Sequence, residues 1–287
     1  MELFRSLLFV PADSPRKIAK ARTVRPDGYI FDLEDAVAPE RKAEARTLLS
    51  AELSSLPQSG PKTWVRINNP RAGMLKEDLA AAIHPGVSGL CIPKCEDPAE
   101  MVVIHDSITQ LEIQSSMPQG GIKLNLILET SLGVLRAMEL GRSCERVSAL
   151  SFGAEDYAAD MGIRRTLAPD EFLVPKSLVA MAAHALRLEA VGGVFTNTKD
   201  HDSLTVEIKR ELELGFTSKT LIHPDQIEPA HKAFLPSDLE AAWAREVVEA
   251  FEASKSKGAG VVVVRGRMVD EPILLQAYKI LRLLDVS

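Results

Sequence analysis

The 287-residue chain carries 34 Lys and Arg against 40 Asp and Glu, and 46% of it is hydrophobic. That balance excludes disorder and collagen-like architectures, and a net charge of −6 argues against a nucleic-acid partner, which calls for a basic excess. No stretch approaches the ~20 apolar residues of a membrane helix, so a membrane is not an expected partner either.

In chain order, the first apolar run is SLLFVP (6–11), closed by Pro11. It is too short for a signal segment and reads as a buried strand. Similar β-branched and leucine-rich runs follow at GYIFDLE (28–34), KTWVRIN (62–68), SGLCIPK (88–94), KLNLILET (123–130), VSALSFGAE (147–155), VGGVFTN (191–197) and SKTLIHP (218–224). Amphipathic segments lie between them, among them 39–53, 98–113, 132–140 and 168–188. Strand then helix, repeated, predicts right-handed crossovers and a parallel sheet. Eight such units match a closed (β/α)8 TIM barrel, an α/β fold, assigned to residues 1–233. An open doubly wound sheet is the alternative. VPADSPRK after the first strand lacks the glycines of a dinucleotide-binding turn.

From residue 234 the pattern changes. A helix is predicted over 236–254, a Gly/Lys loop over 255–260, a hairpin from 261–264 and 268–270, and a last helix over 272–284. Residues 234–287 are thus a C-terminal helix–hairpin–helix extension. A lone hairpin is marginal, so this extension is expected to pack on the barrel or on a neighbouring subunit. Cys91, Cys95 and Cys144 are too few and odd in number for a disulfide framework, which points to a reducing, cytoplasmic setting. Cys91 and Cys95 lack the second pair that a zinc site needs.

Charged residues gather where the runs end, the face on which barrel enzymes place their chemistry. Glu129 and Asp156, at the ends of runs five and six, suit a hard divalent cation such as Mg2+, which leaves places for water and substrate. The bland reading is a pair of solvated loop acids. Asp32, Glu34 and Asp35 are close enough to support such an ion, or cap the helix that begins at Pro39-Glu40. Arg66 is costly inside an apolar strand unless paired. It is expected to share a side with Asn68 and to face a carboxylate or a developing enolate oxygen, or else to form a structural ion pair. Lys94 reads as an ion-pair partner rather than a Schiff-base nucleophile, which needs a lowered pKa. His223 ends the eighth run; it and the other five histidines read as structural. Ser131 reads as a helix N-cap. Arg16, Lys17, Lys20, Arg22 and Arg25 are either a phosphate patch or a solvated helix face.

Taken together, RSLLFVPADSPRK, DGYIFDLEDAV, VRIN, ETSLGV, SFGAEDYAADMG, SKTLIHPDQI and GRMVDEP resemble successive motifs of the citrate lyase beta-subunit-like proteins. That group lies in the HpcH/HpaI aldolase superfamily and includes malyl-CoA and citramalyl-CoA lyases. The resemblance runs from residue 5 to residue 272 and rests on the combination of motifs. It implies a barrel, a homotrimer or hexamer, that uses Mg2+ to make or break a carbon–carbon bond in an acyl-CoA. By the same resemblance Glu129 and Asp156 would ligate Mg2+, and Arg66 would hold the thioester oxygen. Glu34 and Asp35 would hydrogen-bond metal-bound waters. Asp270 would reach in from a neighbouring subunit as acid/base; its bland reading is the N-cap of the last helix. The CoA nucleotide would lie by Arg16 and Lys17, with Arg66, Asp32 and Lys94 as further substrate contacts.

The implied substrate is a 3-hydroxyacyl-CoA of citramalyl-CoA or malyl-CoA type, split to acetyl-CoA and pyruvate or glyoxylate. Three alternatives stay open. One is a citrate lyase beta subunit acting on a carrier-protein citryl thioester. Another is a CoA-independent 2-oxo acid aldolase, which leaves the basic first helix without a use. The last is a non-catalytic metal-binding regulatory protein. A thioesterase or synthase outcome from the same site is also open.

Overall fold

In a computed structural model, residues 4–56, 60–166, 170–255 and 260–284 are described. The eight apolar runs become eight parallel strands: β1 (Ser6–Pro11), β2 (Gly28–Asp32), β3 (Lys62–Arg66), β4 (Val87–Ile92), β5 (Lys123–Leu128), β6 (Val147–Phe152), β7 (Glu189–Gly192) and β8 (Ser218–Leu221). They pair in sequence order and β8 closes onto β1, so the sheet is a closed barrel. The (β/α)8 expectation is met. β1 spans its whole run, whereas β2 to β8 each stop short of theirs, because the residues that follow turn outward to make the mouth of the barrel.

Helices follow the strands: α1 (Pro15–Ala21), α2 (Lys42–Leu53), α3 (Leu75–Ala82), α4 (Pro98–Gln114), α5 (Ser131–Leu135), α6 (Ala137–Gly141), α7 (Ala154–Met161), α8 (Leu173–Leu186) and α9 (His201–Leu214). Ser14, Asp97, Thr130 and Asp200 accept backbone N–H groups at four of their starts, satisfying donors that a helix end leaves free. The helix expected over 132–140 is two, α5 and α6, which meet at Arg136. The start expected at residue 168 lies outside the described residues.

Alternation along the strands divides the side chains. Leu7, Ile30, Cys91, Ile127, Ala149 and Val191 fill the barrel, packed against Phe9 and Trp64. Trp64 is accommodated by Gly89, where a Cβ would meet the indole ring at 2.4 Å. The other strand face, with Leu8, Val65, Leu90, Leu126 and Leu150 fully buried, meets the helices. Each such side chain contributes about 1.5–3 kcal/mol.

The chain divides into two compact units, Met1–Ala230 and His231–Ser287. The division falls within α10 (Ile227–Phe234). The second unit holds α11 (Asp238–Lys255), β9 (Val262–Val264), β10 (Arg267–Val269) and α12 (Glu271–Leu284). Its own core includes Val247, Phe251, Val264, Val269 and Leu274. Arg265 at φ 48° and Gly266 at φ 75° make the two-residue hairpin turn, which needs a positive φ at both positions. Of the Gly/Lys loop expected over 255–260, residues 256–259 lie outside the described residues. The three cysteines are free thiols. Among the described residues no helix is long and apolar enough to cross a membrane.

Candidate active site

The site is built at the C-terminal mouth of the barrel, where β2 and β3 end side by side. Asp32, only 1% exposed, accepts Arg66 Nε and Nη2, each at 2.7 Å. This fork fixes the guanidinium plane. The same carboxylate accepts the backbone N–H groups of Glu34 at 2.9 Å and Ala36 at 3.1 Å, folding the turn after β2. Asp32 therefore differs from the substrate contact expected of it. Its oxygens are engaged by four protein donors, and it holds Arg66 and the turn. Arg66 Nη1 lies 3.1 Å from Glu34 and 3.5 Å from Asp35, and the guanidinium stacks 4.8 Å over Phe9. Burial alone would lower the Arg66 pKa, but the hydrogen bonds to Asp32 and the neighbouring acids outweigh it and raise it. Asn68 does not share its side. β3 has already ended, and the Asn68 N–H and Nδ2 both donate to buried Asp78 at 2.8 Å.

Lys94 follows β4 with φ at 52°, a left-handed backbone that costs a side chain about 1–2 kcal/mol. In return its N–H donates to Glu129 at 2.8 Å. Its ammonium lies 3.2 Å from Glu34, 3.3 Å from Asp156 and 3.9 Å from Glu129. Burial opposes the charge, yet Glu129, Glu34, Asp35 and Asp156 together hold the Lys94 pKa above its ordinary value.

Glu129 follows β5 and is 2% exposed. Asp156, whose side chain is 38% exposed, does not end a strand as the sequence suggests. β6 stops at Phe152, Gly153 turns the chain, and Asp156 is the third residue of α7. Gly153 is needed there, because a Cβ would meet Glu129 Oε2 at 2.5 Å and Glu129 Cβ at 2.6 Å. Burial, then the charges of Asp156 and Glu34, push Glu129 up to about 8. Burial foremost, with Asp35 adding, raises Glu34 to about 7 against the pull of Arg66 and Lys94.

Five carboxylates, Asp32, Glu34, Asp35, Glu129 and Asp156, therefore face two cations, Arg66 and Lys94. Glu34 Oε2 is buried and accepts no hydrogen bond. Among the described residues no three His, Cys, Asp or Glu side chains enclose a metal by themselves. Hard oxygens, few protein ligands and surplus negative charge fit Mg2+, which keeps several waters, and do not fit zinc. Glu129 and Asp156, both within reach of the Lys94 ammonium, could hold such an ion.

A cavity of ≈ 70 Å³ adjoins these groups, lined among others by Phe9, Cys91, Asn125, Ser151, Phe152 and Thr220. Ser151 donates to Asn125 Oδ1 at 2.7 Å, and burial pushes the Cys91 thiol up to about 12. This floor escapes a reading of the sequence, since small polar residues inside apolar runs carry no distinctive signal. Lys42 escapes it too. Its ammonium donates to the carbonyls of Leu33 and Glu34, both at 2.6 Å, and so clamps the acidic turn from α2.

Arg16 and Lys17 are exposed on α1, and among the described residues neither has an ion-pair partner. Arg22 instead pairs with Glu52 at 2.8 Å, so the basic stretch is split. Thr130 caps α5, while Ser131 binds Asp160 through its N–H and hydroxyl, both at 2.7 Å. The N-cap thus sits one residue earlier than expected. His223 accepts the Asp225 N–H at 3.2 Å. In the second unit Asp270 Oδ1 accepts the Ile273 N–H at 3.4 Å in the first turn of α12.

The model of one protein family, HpcH/HpaI aldolase/citrate lyase, matches residues 5–224. The citrate lyase subunit beta of Leuconostoc mesenteroides subsp. cremoris is 33% identical over 285 residues, 99% of this chain and 94% of the relative. The mitochondrial citramalyl-CoA lyase of Mus musculus is 30% identical over 292 residues, 97% of this chain and 85% of the relative. Among solved structures, protein CitE from Mycobacterium tuberculosis, in complex with magnesium, acetoacetate and coenzyme A, matches with a TM-score of 0.83 at 30% identity. That match covers 99% of this chain and 98% of the other.

Proposed function

The chain belongs to the HpcH/HpaI aldolase/citrate lyase family, and on that premise we propose that it is a magnesium-dependent carbon–carbon lyase. It would cleave a 3-hydroxyacyl-CoA of citramalyl-CoA or malyl-CoA type to acetyl-CoA and pyruvate or glyoxylate. The observation that carries this reading is the surplus of carboxylates around one ammonium, Lys94, at the catalytic end of a barrel. The magnesium and coenzyme A bound by the similar CitE protein support it.

Glu129 and Asp156 would hold the ion, and Glu34 and Asp35 would accept hydrogen bonds from its waters. A bound divalent cation acidifies a substrate hydroxyl and offsets the charge left on it. As the hydroxyl proton passes to a neighbouring subunit's Asp270, or to a water that it orients, the carbon–carbon bond would break and its electron pair would pass into the thioester, which becomes an enolate. Arg66, its plane fixed by Asp32, would stabilise the enolate oxygen. A neighbouring subunit's Asp270, or a water that it orients, would return a proton to the enolate carbon and so complete acetyl-CoA. Arg16 and Lys17 would meet phosphates of the CoA moiety.

The test is Glu129→Ala assayed with citramalyl-CoA and malyl-CoA. The variant is expected to stay folded by circular dichroism and to release no 2-oxo acid at any Mg2+ concentration. Undiminished turnover would refute the metal role. Free CoA in place of acetyl-CoA would turn the reading to a thioesterase. The 33% identity to a citrate lyase beta subunit favours a second reading, action on a carrier-protein citryl thioester. Its mark would be partner subunits that copurify with the chain.

A further inference from the structure

On the outer face of β8 lies Lys219, fully buried at 0% exposure. Its neighbour Thr220 lines the cavity, so alternation turns Lys219 toward the helices. Two acids one turn apart on α9 meet it. The Lys219 ammonium is 2.5 Å from Glu207 and 3.0 Å from Glu211. Lys176 of α8 adds an ammonium 2.7 Å from Glu211. Apolar packing at such a place would serve stability as well or better, so the ionic chain calls for another use. It continues toward the site. Glu207 is 3.2 Å from Arg165 Nη2, and Arg165 Nη1 pairs with Glu155. Glu155 is the second residue of α7, lies next to Asp156 and lines the cavity. Lys176, Glu211, Lys219, Glu207, Arg165 and Glu155 thus alternate in sign from the barrel wall to the first turn of α7.

We propose that Arg165 is a positioning residue for the metal site: through Glu207 it ties the first turn of α7, and with it Asp156, to the buried Lys219. That turn needs an anchor. α7 begins at Gly153 with no side-chain cap, so the hydrogen bonds that usually hold a helix start are missing. Arg165 touches no reacting group; it acts through Glu155. The inference rests on the metal role proposed for Asp156.

The experiment compares the full-length wild type with Arg165→Ala and Arg165→Lys. In metal-free protein, hydrogen exchange in peptides spanning 153–158 is expected to quicken about tenfold in Arg165→Ala, a local opening rather than global unfolding. Mn2+ binding, read by the electron paramagnetic resonance of the free ion, is expected to weaken about tenfold or more. The KM for thioester at saturating metal should not change, and Arg165→Lys should recover part of both losses. The melting temperature should shift little, because partly exposed ion pairs contribute little stability. Unchanged exchange in Arg165→Ala overturns the tie. Faster exchange with unchanged Mn2+ affinity overturns its bearing on the metal. A wild type that binds Mn2+ yet cleaves no hydroxyacyl-CoA removes the lyase reading and leaves this comparison standing. Should Arg165→Ala fail to fold, Glu155→Gln breaks the same chain at its more exposed end.

Discussion

Glu129 is a carboxylate that its surroundings keep from ionising. Burial, then Asp156 and Glu34, raise it to about 8 from an ordinary 4.5, and Glu34 follows to about 7. The native state therefore binds more protons than the unfolded chain between those values. Both acids lower stability as pH rises from about 4.5 to about 8, and they lower it no further above that. A divalent cation entering the site must displace these protons. Mn2+ or Mg2+ affinity is accordingly expected to climb about tenfold per pH unit near pH 7 and to level off above about 8. Titration calorimetry in two buffers of different ionisation enthalpy would count the released protons. A flat affinity across that range would contradict the placement of Glu129 and Glu34 beside the ion. At this scale the sequence showed the right kinds of residue but not their work. Asp32 reads as one acid among three in DLED, and only its four donors show that it holds Arg66 and the turn.

Between residue and domain, the strand-to-helix turns decide the site. The turn after β4 takes a left-handed backbone at Lys94 to hold Glu129. The turn after β6 uses Gly153 for the same purpose, by close approach. Gly153→Ala is expected to push Glu129 away from Asp156 and to weaken Mn2+ binding about 10- to 100-fold, while far-ultraviolet circular dichroism stays that of the wild type. Normal affinity in this variant would show that the approach is not needed. The strands themselves were legible, because β-branched runs repeating with helical segments are a local pattern. Their ends were not. Asp156 looks like a strand end in VSALSFGAED, yet it belongs to a helix. A strand stops where its ladder partner stops, and the partner of Phe152 is Leu128 on another strand.

For the whole molecule, the proposal gives the second unit a part in catalysis through a neighbouring subunit's Asp270. Mixing Asp270→Asn chains with Glu129→Gln chains is then expected to restore thioester cleavage that neither variant shows alone. Activity that stays absent in the mixed oligomer would count against a shared site. The sequence by itself determined the eightfold strand–helix alternation and the crowd of charges after the strands. Each of these is written in neighbouring residues through periodicity and turn chemistry. Only the tertiary structure decided which charges meet. Lys94 and Glu34 stand 60 residues apart in the chain, and Arg165 and Glu207 stand 42 apart. Such pairs exist because the barrel closes, and closure depends on every strand at once. Electrostatic partnership is a short-range property of space, so it follows the fold and cannot be read along the chain.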